Sequence, residues 1–415
     1  MIPFIRQRYN QAFTQEKYQK FINDMNNSFN YDIEFRIAET PVFIDKYFKQ
    51  QLMEAADEII NVIQQDNFKE ITEGAIPKNC FVPNENDHPH LIAIDFAIAE
   101  DENGFFIPQL IEMQGFASLY CYQEWLAEMY QKHFTLPAGF DNKFNNYKHQ
   151  SYIERFKKVI LGNHKKQNVV LLELDPWKQK TQIDFYCTQK YIGIPVVNLT
   201  DVIREGKNLF YLADGVKTPI HRIYNRVIFD ELLQRKDLKL QFNMTEEVDV
   251  EWVAHPNWFF RISKYTMPLI KSKFVPETFF VKDLEAFPKD LENWVLKPLF
   301  SFSGQGVIFD VTQKDIDNIT DPSNYILQRK VNYAPAVKSP TGNVKCEIRL
   351  LYLWNDGEAK PELALNLGRM SKGKMIGVRY NQDLDWVGAT SCFLELDEQP
   401  PVIVKKEKPK FKRMK

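Results

Sequence analysis

Glycine is scarce in this chain, at 16 residues of 415, well under the ~7% usual in soluble proteins. That excludes collagen-like arrays and chains built on flexible glycine-rich linkers. Cysteine is scarcer still. The five cysteines (Cys80, Cys121, Cys187, Cys346 and Cys392) are odd in number, far apart and without any C-x-x-C pair. They fit reduced thiols in a cytoplasm and exclude both a disulfide-stapled miniprotein and the common zinc signatures. No apolar run approaches the ~20 residues of a membrane span, and the first residues lack the basic-then-apolar pattern of a secretion signal. The seven histidines are scattered, with no spacing that pairs them with a nucleophile or a metal. There is no internal repeat and no low-complexity segment. The expectation is a soluble, cytoplasmic, globular protein of ~2–3 structural units.

What is present is unevenly placed. The formal net charge of -2 conceals a tail, Lys405–Lys415, with seven Lys/Arg and one Glu, which leaves 46 basic against 54 acidic residues in the body. An acidic body argues against a nucleic-acid-binding domain. The tail reads as a disordered basic terminus, with contact to an anionic partner as the alternative. Half of the glycines (Gly304, Gly306, Gly342, Gly357, Gly368, Gly373, Gly377 and Gly388) fall between 304 and 388. Glycine concentrated in this way marks backbone that turns sharply or approaches a ligand.

Residues 1–90 read as mainly helical, with 46–65 the clearest amphipathic stretch. Runs at 91–99 and 105–113, joined by the turn-rich EDENG, read as a hairpin, and a helix follows at 120–132. A β-α-β rhythm at 167–198 marks a small α/β unit over 165–232. The segment 251–271 reads as helical. Runs at 294–297, 307–311, 325–328, 347–354 and 361–367 read as strands of a largely antiparallel sheet.

Four stretches could carry chemistry. In WVLKPLFSFSGQGV a lysine, Lys297, ends an apolar strand and a Ser/Gly turn (Ser303, Gly304, Gly306) follows; backbone N–H groups of such a turn can cover phosphate oxygens. An ordinary hairpin with a surface lysine is the plainer alternative. In GRMSKGKM the spacing nearly matches a phosphate-binding P-loop, but Met375 stands where the metal-binding hydroxyl belongs and no helix follows, which excludes that loop. The density of Arg369, Lys372, Lys374 and Arg379 there fits either an anion clamp or a solvated turn. Asp95 and Glu112 each sit inside an apolar strand of the hairpin, where a carboxylate is costly unless paired or bound to metal. With Gln114 on the same face they could form an oxygen-ligand Mg²⁺ site, or simply alternate out to solvent. Finally, Ser263-Lys264 could present a cation to an anionic ligand, or decorate the surface.

Taken in order, these pieces resemble the circularly permuted ATP-grasp ligases, close to glutathionylspermidine synthase and the eukaryotic-type glutathione synthetase. The resemblance spans roughly 90–392. It implies an α+β ATP-grasp fold whose antiparallel sheets clasp ATP: a helical N-terminal region (1–90), a metal-binding hairpin and helix (91–164), a small α/β substrate domain (165–232), a nucleotide-binding region (233–403) and the basic tail (404–415). The cofactors implied are ATP and Mg²⁺. Asp95, Glu112 and Gln114 match the metal ligands. Lys264, Lys297, Ser303, Gly304, Gly306, Gln328, Lys330 and Lys372 match nucleotide contacts, and Arg226 and Arg369 are candidates to grip a carboxylate or acyl phosphate. The implied reaction is ATP-dependent carboxylate–amine ligation through an acyl phosphate, with a carboxylate and an amine as substrates and neither membrane nor nucleic acid as partner. Three positions depart from the family pattern: Gln114 replaces an Asn, Ser301 stands for a metal-ligating Glu, and Ala93 stands for an arginine two residues before the metal aspartate. The alternative they raise is a catalytically inactive nucleotide-binding or scaffold protein on the same fold.

Overall fold

The computed structural model describes residues 2–116, 118–300, 306–373, 376 and 383–397. Ser301, Ser303, Gly304, Lys374, Arg379 and the basic tail lie outside the described residues. The chain is a mixed α/β protein of several sheets. Among the described residues no helix is long and apolar enough to cross a membrane.

The largest sheet has six antiparallel strands. Its path runs Gly388–Thr390, Glu362–Ser371, Gly342–Leu353, Leu91–Glu100, Phe106–Gln114, with Val337–Ser339 paired to Gly342–Leu353. Leu91–Glu100 is buried along nearly its whole length, as its almost unbroken apolar run requires of a strand covered on both faces. Its hairpin closes through Asp101, whose carboxylate accepts from the amides of Asn103 and Phe105, with Gly104 at φ 79°. That is the local chemistry by which Asp and Gly make turns.

A second antiparallel sheet, in the order Thr278–Phe280, Tyr325–Arg329, Trp294–Pro298, Ile308–Phe309, has its own small core of Trp294, Leu296 and Leu327 with Val281 and Val311. A third sheet is wholly parallel: Glu251–Val253, Arg222–Asn225, Val169–Glu173, Val196–Asn198. Helix Tyr120–His133 is buried along most of its length. Asp184, on helix Gln182–Tyr191, caps it from outside by accepting from the amides of Leu119 and Tyr122 at 3.1 and 3.0 Å.

Several elements differ from the sequence reading. The strands expected as one antiparallel set divide between two sheets, and the Leu91 hairpin joins the larger. The stretch 251–271 is not one helix: strand Glu251–Val253 completes the parallel sheet, beyond residue 232 where the α/β unit was expected to end. His255 then caps a short helix, Pro256–Arg261, through its ring nitrogen, and Ser263 caps a 3-10 helix, Lys264–Leu269. Proline favours helix starts and stops continuous helix, and Pro256 and Pro268 set this punctuation. In the helical N-terminal region, strand Val42–Ile44 pairs in parallel with Cys392–Glu395 near the far end of the chain.

Gly115 decides how closely the Pro256–Arg261 helix approaches the Glu112 strand. Its amide donates to the Ile262 carbonyl at 2.9 Å, and a Cβ there would lie 2.2 Å from the Trp258 carbonyl oxygen. Gly115→Ala is expected to cost about 1–3 kcal/mol in urea unfolding, the usual penalty of overpacking. A change below a few tenths would show that this approach is not constrained.

Candidate functional site

Register places a row of charge on one face of the six-stranded sheet. Asp95 lies opposite Arg349 on one side and Glu112 on the other. Glu347, two residues before Arg349, lies opposite Arg369. Directly opposed residues share a face, as do residues two apart, so all five side chains project together. The alternate residues Ile94, Phe96, Ile348 and Leu350 are fully buried in the core.

The row is closely bonded. Arg349 grips Asp95 with both arms of its fork, Nε to Oδ1 at 2.6 Å and Nη2 to Oδ2 at 2.7 Å. Arg369 adds a further bond to Asp95 Oδ2 and pairs with Glu347 at 2.8 Å. The Tyr333 hydroxyl donates to Glu347. Glu112 Oε1 accepts from the Gln114 amide at 3.1 Å and stands 3.5 Å from Arg349. Burial alone would raise the Asp95 carboxyl, but the guanidinium groups of Arg349 and Arg369 hold it below the usual carboxylate range. Burial wins at Glu347, whose carboxyl is raised although Arg369 opposes the shift. Burial would lower Arg369, and Asp95 and Glu347 more than offset it.

The second sheet brings the lysines. A register shift between Asp95 and Phe96 leaves Ile111 as an extra residue on the partner strand. Such bulges free a backbone group from the ladder, and the Ile111 carbonyl accepts from Lys297 Nζ at 3.1 Å. Lys297 also donates to Gln328 Oε1 at 2.6 Å, and the Gln328 amide donates to Thr278 at 3.2 Å. Trp294 and Leu296 face the small core, so alternation turns Lys297 to the other side. Burial pushes the Lys297 ammonium down to about 8; Glu112 opposes the shift and Lys264 adds to it. Lys264 is itself buried at the start of its 3-10 helix. Two of the site's groups, Glu112 and Arg369, keep side chains 30% and 26% exposed and form its open rim.

The structure thus brings together Asp95, Glu112, Gln114, Lys264, Lys297, Gln328 and Arg369. It gives the remaining candidates other partners. Lys330 pairs with Asp310 and donates to the Glu292 carbonyl. Lys372 bonds Asp385 at 2.6 Å and Thr341 at 2.8 Å. Gly306, at φ 70°, turns back against the Pro298 ring. Arg226 belongs to a second charged cluster at the carboxyl edge of the parallel sheet, 2.8 Å from Asp184. There burial pushes the Glu173 carboxyl up to about 8, against the pull of Arg226.

In the expected magnesium set of Asp95, Glu112 and Gln114, Asp95 is already engaged by guanidinium groups. A magnesium ion asks for oxygens at ~2.0–2.1 Å in near-octahedral array, and both Asp95 oxygens already accept from guanidinium groups. Among the described residues no group of three His, Cys, Asp or Glu side chains is disposed to hold a metal. The donor set as it stands does not fit Mg²⁺.

Sequence reasoning missed Glu347, Arg349 and Tyr333. The signal that singled out Asp95, a charge inside an apolar strand, was also present in VKCEIRLLYL, where Glu347 and Arg349 alternate with buried residues. A hollow of about 1000 Å³ opens beside helix Lys46–Ile63, lined by Asp57, Asn61, Tyr147, Arg155 and Glu362; it includes none of the charged row.

Lys297 makes a pH prediction. Its folded value of about 8 lies below the ordinary 10.5, so between those values the unfolded chain holds a proton that the folded chain has released. Stability gained from this group therefore grows as pH rises through that window. Wild type should gain on the order of 1–3 kcal/mol relative to Lys297→Met between pH 7.5 and 10 in urea titrations. A constant difference between the two proteins would show that Lys297 is not desolvated.

No family model matches this chain, and no curated protein matches it by sequence. Structure finds a likeness. A glutathione synthetase-like effector from Globodera pallida, solved in its apo form, matches with a TM-score of 0.58, covering 93% of this chain and 98% of that one at 8% identity. At that identity the likeness is one of fold, and the chain has a glutathione synthetase-like fold.

Proposed function

We propose that the chain is an ATP-dependent carboxylate–amine ligase acting through an acyl phosphate. The observation that carries the reading is the approach of Lys297, from the small sheet and with Lys264 beside it, to the row of Asp95, Glu112, Glu347, Arg349 and Arg369. Phosphoryl transfer needs positioning and charge neutralisation more than covalent help from protein. Four cations against three carboxylates provide net positive charge in a partly desolvated cleft, where it acts strongly. The likeness to a protein described as glutathione synthetase-like supports the same reaction class.

In this reading Lys264, Lys297 and Gln328 contact the nucleotide, and Ser303, Gly304 and Gly306 are the residues that the resemblance assigns to its phosphates. Lys330 and Lys372 are outer contacts that exchange Asp310 and Asp385 for nucleotide. The substrate carboxylate oxygen attacks the γ-phosphorus and ADP departs with the electron pair of the broken P–O bond. Arg369, on the open rim, holds the acyl phosphate, for which a guanidinium fork is suited. The amine then attacks the carbonyl carbon, the C–N bond forms, and phosphate leaves as the nitrogen loses its proton to solvent. Arg226 stands where α/β sheets commonly bind ligands, at the carboxyl ends of parallel strands, and its Nε carries no partner. It is our candidate to hold the carboxylate substrate.

A second reading, a non-catalytic nucleotide-binding protein on this fold, is favoured by two particulars. Ala93 puts a methyl group in the row opposite Gln114, and Asp95 is committed to two guanidinium groups. Incubation with Mg-ATP and pooled carboxylates and amines separates the two. Ligase activity is expected to release ADP at least tenfold faster than Lys297→Met. ATP binding by calorimetry without any ADP release would select the second reading, and absence of both would remove the nucleotide from either.

A further inference from the structure

The charged row is built to neutralise an anion rather than to ligate a metal. Asp95 has both oxygens occupied by Arg349 and Arg369, and Glu347 is held by Arg369 and the Tyr333 hydroxyl. Glu112 is bonded by the Gln114 amide and lies within 4.0 Å of both guanidinium groups. Where the family pattern expects an arginine on the Asp95 strand there is Ala93, and the guanidinium comes instead from Arg349, on the strand next door and directly opposite Asp95. Among the described residues of the row, Arg369 Nε is a buried donor with no hydrogen-bond partner, on a side chain that reaches the open rim. An orphaned guanidinium N–H beside a lysine-lined cleft matches a phosphate oxygen, since a guanidinium fork binds phosphate with two parallel bonds.

We propose that this cleft binds a polyphosphate ligand without a divalent cation, with Arg369, backed by Arg349, and Lys297 supplying the positive charge that a metal would otherwise bring. The inference rests on the cleft being the nucleotide site and holds whether or not turnover follows. Phosphate oxygens compete with Asp95 and Glu347 for Arg369, while Arg349 stays on Asp95 and keeps that carboxylate from repelling the incoming charge. Asp95 is then a competitor of the phosphates for Arg369, and it touches neither the ligand nor a metal.

Calorimetry on the full chain tests this with ATP and with inorganic tripolyphosphate, each in excess EDTA and in excess Mg²⁺. The expected result is an ATP Kd in EDTA within about threefold of that in Mg²⁺. Arg369→Met, at the open rim, should weaken binding at least tenfold in both conditions, with an unchanged circular dichroism spectrum. Asp95→Asn provides the decisive contrast. Removing a metal ligand would weaken Mg-ATP tenfold or more, whereas removing a competitor for the arginines leaves binding in EDTA unchanged or tighter. Tripolyphosphate binding in EDTA identifies the phosphates alone as sufficient; binding of ATP but not tripolyphosphate in EDTA still upholds metal independence and adds a role for the nucleoside. Binding that appears only with Mg²⁺, or that Asp95→Asn abolishes, overturns the inference while leaving the nucleotide site standing. Absence of ATP binding in both conditions overturns the site itself.

Discussion

The buried Asp95–Arg349 pair is the contact on which the arrangement of this protein turns. Asp95 lies in the middle of an almost continuous apolar strand, and an isolated carboxylate there would be far too costly to keep ionised. A bidentate guanidinium from the adjacent strand offsets that cost with two short, parallel bonds. The pair also selects the register. Moving either strand by one residue would send a charge into the core and the core side chains into the cleft. With Asp95 opposite Arg349, Glu347 falls opposite Arg369 and Glu112 opposite Asp95. Three separate strand pairings, in register with one another, make up the polar row. A buried ion pair is weak evidence for net stability; its contribution here is to exclude the other alignments.

The second sheet joins the main core through Ile326 and Leu299, and a directional polar bond fixes where it docks on the first sheet. Lys297 reaches across to the carbonyl that the bulge at Ile111 releases, so a local irregularity in one hairpin becomes the docking point for another sheet. The Lys264 segment is set by a different anchor. Arg261 binds Glu73 and Glu85, and Asn257 exchanges hydrogen bonds with Val82, which fastens the short helix to the N-terminal region. The helical N-terminal region therefore contributes to the cleft without placing a residue in it. That explains why a chain of this fold carries so much structure ahead of the first site residue.

Much of the fold was legible. The hairpin, the long amphipathic helix, the two central parallel runs at Val169–Glu173 and Val196–Asn198 and most of the antiparallel strands follow from period and turn chemistry. Three features were not. The meander of Ile203–Glu205, Asn208–Ala213 and Val216–Ile220 is half exposed and carries little apolar alternation, though Gly206 and the Asp214-Gly215 pair mark its turns. The split of the antiparallel strands into two sheets depends on which strands meet across long intervals, and no local pattern encodes that. The glycine cluster was read as backbone that turns sharply or approaches a ligand; Gly368 and Gly388 add a third use, packing, since a Cβ would lie 2.6 Å from the Thr390 side chain at one and 2.3 Å from the Arg36 carbonyl at the other. Glycine concentration signals close approach of backbone, and at Gly368 and Gly388 the approaching body is the protein itself.

The site shows the same limit in sharper form. A motif read along one strand records Ala93 as a lost arginine and counts it against function. In the sheet, the space beside Asp95 is shared by three strands, and Arg349 fills it from the neighbour. What chemistry requires at such a point is a guanidinium within reach of a carboxylate and an anion, and the strand that supplies it is free to change as long as the register holds. Arg349, directly opposite Asp95, engages the carboxylate with both arms and brings positive charge to the row at the same time. Arg369 reaches the same carboxylate from the far side of the Arg349 strand, so the two cations converge on one anion although they sit on different strands.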